Sequence, residues 1–184
     1  MAKFRGFIAV DICVFPGLIE FEKEIKETGA NVKLVEPENV HITLKFLGDT
    51  EEEQIDEIEK IIKDAVKETN SFHIQLKGAG VFPNQNYIKV IWIGIEHGEE
   101  IAIISHKIDE QLSRVGFEKE KRGFSPHLTI ARVKSAKNKE KLLQIIEKYK
   151  DVEFGDIKVD SIKLKKSDLT QKGPIYITLR EIKI

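Results

Sequence analysis

Two stretches of the chain, HITLKF (41–46) and HLTIAR (127–132), each set a histidine and a threonine two residues apart, with an aliphatic residue after each. In an extended strand successive side chains alternate between faces. His41 and Thr43 therefore share one face and Ile42, Leu44 and Phe46 the other, while His127 and Thr129 stand together opposite Leu128 and Ile130. Each strand can bury its aliphatic side and present an imidazole and a hydroxyl, roughly 7 Å apart, on the other. Two imidazoles meeting across a cleft can divide acid and base work, because the ordinary imidazole pKa of about 6.5 allows one neutral and one protonated ring near neutral pH. A phosphodiester suits such a pair. One ring removes a proton from the attacking oxygen, the other protonates the departing one, and the threonine hydroxyls donate to nonbridging phosphate oxygens. No carboxylate stands beside either histidine and neither HxH nor HExxH occurs, so no metal is expected. One His-x-Thr match in a strand means little, but two are a far rarer coincidence. His73 at a strand start, His97 beside Gly98 and His106 on a helix have no such surroundings and read as structural or solvated.

The elements that must carry these motifs are legible from periodicity. FRGFIAVDI (4–12) reads as a strand, and PGLIEFEKEIKETG (16–29) as a helix bounded by Pro and Gly. Residues 32–48 offer a short strand, a turn at Glu36–Asn39 and the first motif strand. Residues 50–69 read as the clearest helix, with Thr50 as cap, Glu53 as capping-box partner, and Ile55, Ile58, Ile61, Ile62 and Val66 along one face. FHIQLKGAGVF and YIKVIWIGIE form two strands around PNQN, 99–115 a helix, HLTIARV a strand and 137–150 a helix. Two final strands are expected near 157–165 and 174–183. This order predicts an α+β fold: two pseudo-symmetric lobes of mainly antiparallel sheet with helices outside, and a central cleft to which each lobe brings one motif. Without a linker rich in Pro, Gly or Ser, residues 1–184 are expected to form one bilobal domain, with lobes contributing the motifs at 41–44 and 127–130.

Composition narrows the partners. Of 184 residues, 41% are hydrophobic, enough for a core, and 30 basic residues balance 31 acidic ones, so net charge does not advertise a nucleic-acid binder. A lone Cys13 excludes an internal disulfide framework and any multi-cysteine zinc site. No apolar run approaches 18 residues and MAKFRGFIAVDIC is a poor signal peptide, so a cytoplasmic protein without a membrane partner is expected. Abundant Lys, Glu and Ile fits a heat-adapted source.

HITLKFLG and SPHLTIARVK resemble the paired His-x-Thr-x motifs of the two-histidine phosphoesterases, in particular the bacterial and archaeal RNA 2′,3′-cyclic phosphodiesterases, historically called 2′-5′ RNA ligases. The likeness runs from RGFIAVDI, through GVFPN ahead of a Trp-containing strand, to SDLTQKGPIYITL. It implies hydrolysis of an RNA 2′,3′-cyclic phosphate end to a 2′-phosphate without metal or other cofactor. It also implies a capacity for ATP-independent 2′-5′ joining, and the absence of a GxxxxGK[ST] loop agrees. The resemblance points to His41 as general acid and His127 as general base, with Thr43, Thr129 and Arg132 on the phosphate. Strict alternation puts Arg132 on the face opposite His127, so it reaches the cleft only through a twist or bulge. Ser125 falls where relatives often have a basic residue. Candidate RNA contacts are Arg5, Lys45, Arg122, Lys163, Lys165 and Lys166, weighed against the solvated surface that is the default for such residues. Phe82 is a candidate to stack a base, and Trp92 in KVIWIGI reads as core. The competing readings are a phosphodiesterase acting on 2′-5′ oligonucleotides or small cyclic nucleotides, and a noncatalytic RNA- or nucleotide-binding module. A self-contained bilobal chain is expected to be a monomer.

Overall fold

The computed structural model describes residues 2–121, 123–171 and 173–184. Among them the order is β1 (Lys3–Asp11), α1 (Pro16–Glu27), β2 (Val32–Leu34), β3 (His41–Glu51), α2 (Ile55–Val66), β4 (Phe72–Pro83), β5 (Ile88–Glu96), α3 (Glu99–Arg114), β6 (His127–Val133), α4 (Lys139–Tyr149), β7 (Glu153–Val159), β8 (Ser161–Thr170) and β9 (Gly173–Lys183). The α+β expectation holds. All pairings are antiparallel, and the strands form one sheet in the order β7-β4-β5-β6-β3-β1-β8-β9, with β2 added alongside β6.

The sheet is nearly divided at its centre, where β3 and β6 pair through Ile42 opposite Leu128. On one side lie β3, β1, β8 and β9, against which α2 and α3 pack; on the other lie β6, β5, β4 and β7, with α1 and α4. Neither half is contiguous in sequence. The chain leaves the first after β1, visits the second with α1 and β2, and comes back with β3.

In the first half burial follows helical spacing. Of the stripes expected from that spacing, Ile58, Ile61, Ile62 and Val66 of α2 and Ile101, Ile104, Ile108 and Leu112 of α3 are buried, while Ile55 and Val115 at the ends are partly buried. They meet strand residues such as Ile8, Val10 and Ile42 in one continuous core. Each such side chain contributes about 1.5–3 kcal/mol relative to exposure.

Three details differ from expectation. The helix expected from residue 50 begins later: β3 continues to Glu51, where Thr50 lies opposite Phe4, and a 3₁₀ turn (Glu52–Gln54) leads into α2. Thr50 is buried and donates to the Gly48 carbonyl, so the capping box falls to Glu51 and Gln54 instead of Thr50 and Glu53. The segment expected as one strand near 157–165 is two, β7 and β8, divided at Asp160. Finally, both motif strands carry a bulge. Ile8 faces Lys45 while Ala9 faces Thr43, which leaves Leu44 as the extra residue; Ile91 faces Ala131 while Trp92 faces Thr129, which leaves Ile130. An extra residue resets the alternation beyond it. Leu44 and Lys45 are accordingly both buried, as are Ile130 and Ala131.

The first bulge places a lysine inside the protein. Lys45 Nζ donates to Asp109 Oδ1 of α3 at 2.5 Å and to the Glu118 carbonyl at 2.6 Å, and Asp109 also accepts the Glu120 amide N–H. Burial opposes ionisation of Asp109, but Lys45 and that amide outweigh it and hold its pKa below the ordinary value. Removing one partner from such a pair leaves an uncompensated buried charge, whereas an apolar pair of similar volume does not. Asp109→Ala is therefore expected to cost about 3–5 kcal/mol in urea unfolding. The double replacement Lys45→Met, Asp109→Leu should cost clearly less in the same measurement.

Candidate active site

The single β3–β6 pair fixes the geometry of the centre. With Ile42 opposite Leu128 in antiparallel register, His41 is directed toward Thr129 and Thr43 toward His127. The two copies are thereby related by a local two-fold axis, and all four side chains line one cleft of about 1600 Å³. A diagonal pair across two antiparallel strands lies roughly 7–8 Å apart at the backbone, a separation that lets two imidazoles flank one phosphorus.

The rings are oriented alike. His41 Nδ1 lies 2.6 Å from the Asn39 carbonyl and His127 Nδ1 lies 2.8 Å from the Ser125 carbonyl, in each case the residue two before the histidine. A carbonyl only accepts, so Nδ1 carries the proton in both rings, and Nε2 is the nitrogen that gains or loses one. His41 Nε2 is 3.0 Å from Thr43 Oγ1. Because the contact at position 125 is made by a backbone carbonyl, the departure from a basic residue there leaves the orientation of His127 intact.

The surroundings of the two rings differ. His41 packs on Phe7 (centroids 5.1 Å apart) and edge-on against Tyr176 (5.2 Å), while His127 meets the edge of Phe82 at 5.0 Å. Burial pushes the His41 pKa below 6.5, and Lys165 and Arg132 add to that, against the Asn39 carbonyl and the Asp11 carboxylate, which oppose it. Asp11, the cross-strand partner of His41, is held by Lys165 at 2.6 Å and Lys163 at 3.0 Å. Its burial favours the neutral acid, but the two lysines prevail and lower its pKa.

The bulges decide which remaining candidates reach the cleft. After Ile130, Arg132 comes round to the side of His127 and Thr129 and lines the cleft, and of the two routes expected, twist or bulge, the register shift is the bulge. Its counterpart Phe46, expected on the aliphatic face, is likewise brought to the cleft, and 72% of its surface is exposed. Phe82 lines the cleft too. Lys45 also borders it, but its ammonium is engaged by Asp109 and Glu118, which corrects the expectation of an RNA contact. Arg5 is exposed on β1 outside the cleft lining. Lys163 and Lys165 are bound to Asp11, and Lys166 pairs with Asp168 at 3.3 Å. Arg122 lies outside the described residues. Trp92 is half-buried opposite Thr129, on the side of the sheet that the motif hydroxyls occupy, and so is not among the side chains that the helices cover. Its ring lies across Gly80, where an added Cβ would fall 2.1 Å from Cζ2, and its buried Nε1 has no partner among the described residues. Asn39, Phe46 and Tyr176 are site residues that motif reading missed. Proximity signals existed for Asn39, two residues ahead of His41, and for Phe46, which ends the first motif stretch, but none for Tyr176.

Among the described residues, no group of three or more His, Cys, Asp or Glu side chains is placed to hold a metal ion, and no helix is long and apolar enough to cross a membrane.

The family model of the 2′-5′ RNA ligase superfamily matches residues 18–171. A protein of Methanothermobacter thermautotrophicus named RNA 2′,3′-cyclic phosphodiesterase is 40% identical over 186 residues, covering 99% of this chain and 100% of its own. One of the same name from Methanocaldococcus jannaschii is 47% identical over 179 residues, covering 96% and 99%. Among solved structures, TT0787 of Thermus thermophilus superposes with a TM-score of 0.83 at 25% identity, covering 97% of each chain. E. coli LigT complexed with 3′-AMP shares the fold at a TM-score of 0.74 and 20% identity, covering 100% of this chain and 99% of its own. With its motif strands paired about a local two-fold axis and this match across most of its length, the chain belongs to the 2′-5′ RNA ligase superfamily of two-histidine phosphoesterases.

Proposed function

We propose that this protein hydrolyses RNA 2′,3′-cyclic phosphate ends to 2′-phosphates through His41 as general acid and His127 as general base. The observation that carries the reading is the pair of symmetrically held imidazoles, each with Nδ1 fixed by a carbonyl, facing one cleft with a threonine apiece. His127 Nε2 takes a proton from water as its oxygen bonds to phosphorus. The P–O3′ bond breaks, His41 Nε2 gives its proton to O3′, and the 2′-phosphate and a 3′-hydroxyl remain. A 5′-hydroxyl in place of water gives a 2′-5′ linkage by the same bond changes, and no step requires ATP. Thr43, Thr129 and Arg132 hold the nonbridging oxygens, with the guanidinium supplying the positive charge. Exposed Phe46 offers a face for the terminal base and Phe82 a second aromatic wall. The names of the full-length relatives support the substrate class. A single bilobal unit acting as a monomer fits a cleft whose two histidines come from one chain, and a free exposed Cys13 fits a reducing cytoplasm.

The first test is turnover of an RNA bearing a cyclic phosphate end, with EDTA present, beside a 2′-5′ oligonucleotide and a small cyclic nucleotide. His41→Ala and His127→Ala should each lose at least about a hundredfold in kcat. Turnover that survives the double change would sink the catalytic assignment, and faster cleavage of either alternative compound would move the substrate class. Phe46→Ala should raise KM about tenfold, the scale of one lost base stack, with kcat less affected.

The lowered His41 pKa also fixes the form of the pH profile. An acid must carry its proton and a base must lack one, so kcat/KM should be bell-shaped, and the limb that His41 sets should break below the ordinary 6.5. A bound phosphodiester anion favours the imidazolium, so the same limb should lie higher in kcat. Asp11→Asn removes the carboxylate that raises the His41 pKa, and should move the limb of kcat/KM that His41 sets to still lower pH.

A further inference from the structure

The local two-fold axis gives the two histidines matching carbonyls, but it gives only His41 a phenol. Tyr176 stands on β9, across from Ser167 of β8 and three strands away from the first motif strand. Its ring nevertheless packs edge-on against both Phe7 (4.9 Å) and His41 (5.2 Å). The bend that brings it there is secured at Asn39. The Asn39 carbonyl accepts from His41 Nδ1, and its Nδ2 donates at 3.1 Å to the Pro174 carbonyl, two residues before Tyr176. Histidine and tyrosine are thus both registered to one buried asparagine side chain and backbone.

The ring of Tyr176 is half-buried, yet its hydroxyl is not sealed off. The residue lines the cleft, and its oxygen has no hydrogen-bond partner among the described residues and is not among the fully buried atoms that lack one. Arg132, reaching the same cleft from the other half of the sheet, exerts its charge on both Tyr176 and His41. A neutral donor and a guanidinium bordering one part of a cleft form a site for an anion, in which the phenol supplies direction and the arginine charge. The phenol is suited to remain a donor, because burial raises its pKa more than Arg132 lowers it.

We propose that Tyr176 is a further substrate-contacting residue of this site: its hydroxyl donates to a nonbridging oxygen of the phosphate that Arg132 holds, and Asn39 is its positioning residue. The tyrosine keeps its proton throughout and no bond to it forms or breaks. The proposal rests on the two-histidine reading and adds a donor specific to the His41 side.

The test compares Tyr176→Phe, Tyr176→Leu and Asn39→Ala with His41→Ala, using steady-state kinetics on a cyclic-phosphate-ended RNA and competition by inorganic phosphate. Tyr176→Phe keeps the ring against His41 and Phe7, so its thermal midpoint should hold. Its kcat should fall about tenfold to a hundredfold and its inhibition by phosphate should weaken about tenfold, the scale of a hydrogen bond to a charged group. Tyr176→Leu should lose more than Tyr176→Phe, because His41 also loses its wall, and Asn39→Ala should lose a fewfold. A Tyr176→Phe enzyme within about twofold of the unchanged protein in both kcat and phosphate inhibition would overturn the proposal, with His41→Ala inactive and the two-histidine reading standing. Turnover retained by His41→Ala would instead overturn that reading and the role of Tyr176 with it.

Discussion

The site depends on one cross-strand pair, Ile42 opposite Leu128, both wholly buried. An antiparallel pair of like strands has a two-fold axis between them, so one short motif written twice yields a symmetric constellation with no further instruction. The aliphatic residues that pair at the centre point into the helix-covered core. Their histidine and threonine neighbours must therefore point the other way, because side chains alternate. Burying Ile42 and Leu128 and exposing four catalytic candidates are the same event. It also explains why the chain alternates between the two halves of the sheet: the strand that meets its copy must come from the other half, and the intervening segments return to complete each side.

The bulges extend this arrangement beyond what alternation permits. At Leu44 and Ile130 each strand takes an extra residue just after the threonine, and the next-but-one side chain, Phe46 or Arg132, turns to the cleft. Symmetry of backbone with asymmetry of residue yields an aromatic on one side and a cation on the other, suited to a base and a phosphate respectively. The inward turn that follows each bulge is filled by alanine in one copy and by Lys45 in the other. Lys45 is accommodated because Asp109 and the Glu118 carbonyl accept from its ammonium. Those contacts tie the first motif to the segment running toward His127. A buried ion pair is weak evidence of net stability, because the desolvation cost offsets much of the attraction, so its clearest effect is geometric.

What sequence alone made legible followed from periodicity where the period was unbroken. His41 with Thr43 and His127 with Thr129 lie before the bulges, and there the alternation held. Helix stripes at Ile58, Ile61 and Ile62 or at Ile101, Ile104 and Ile108 were equally plain. Arg132 could be placed only conditionally and Phe46 was placed on the wrong face, because a bulge is a mismatch between two strands and leaves no mark in either one alone. Lys45 read as solvent-facing for a similar reason: its partner Asp109 is 64 residues away on a helix. Tyr176 stayed hidden inside a segment noticed only for its general likeness to the family. Its contact with His41 depends on how β9 bends across the sheet, a tertiary property with no local pattern. Thr50 lost its capping role because pairing with β1 extended β3 past it, so tertiary pairing overrode a local signal.

Symmetry alone would leave the two histidines interchangeable, and the proposed reaction is directional. The difference is supplied outside the motifs. His41 is walled by Phe7 and Tyr176, its Nε2 is close to Thr43, and Asp11 with its two lysines stands beside it. His127 has Phe82 at its edge and, among the described residues, a partner only on Nδ1. In hydrolysis the departing O3′ stays attached to the ribose and needs no route out, whereas the attacking water, or a second RNA end, must be admitted. The proposed roles, His41 as the enclosed acid and His127 as the more open base, match those needs. Burial lowers the proton affinity of His41, and a bound phosphodiester anion would act in the opposite direction. The enclosing walls therefore distinguish two rings that their own strands leave symmetric, and the proposed direction of the reaction rests on that difference.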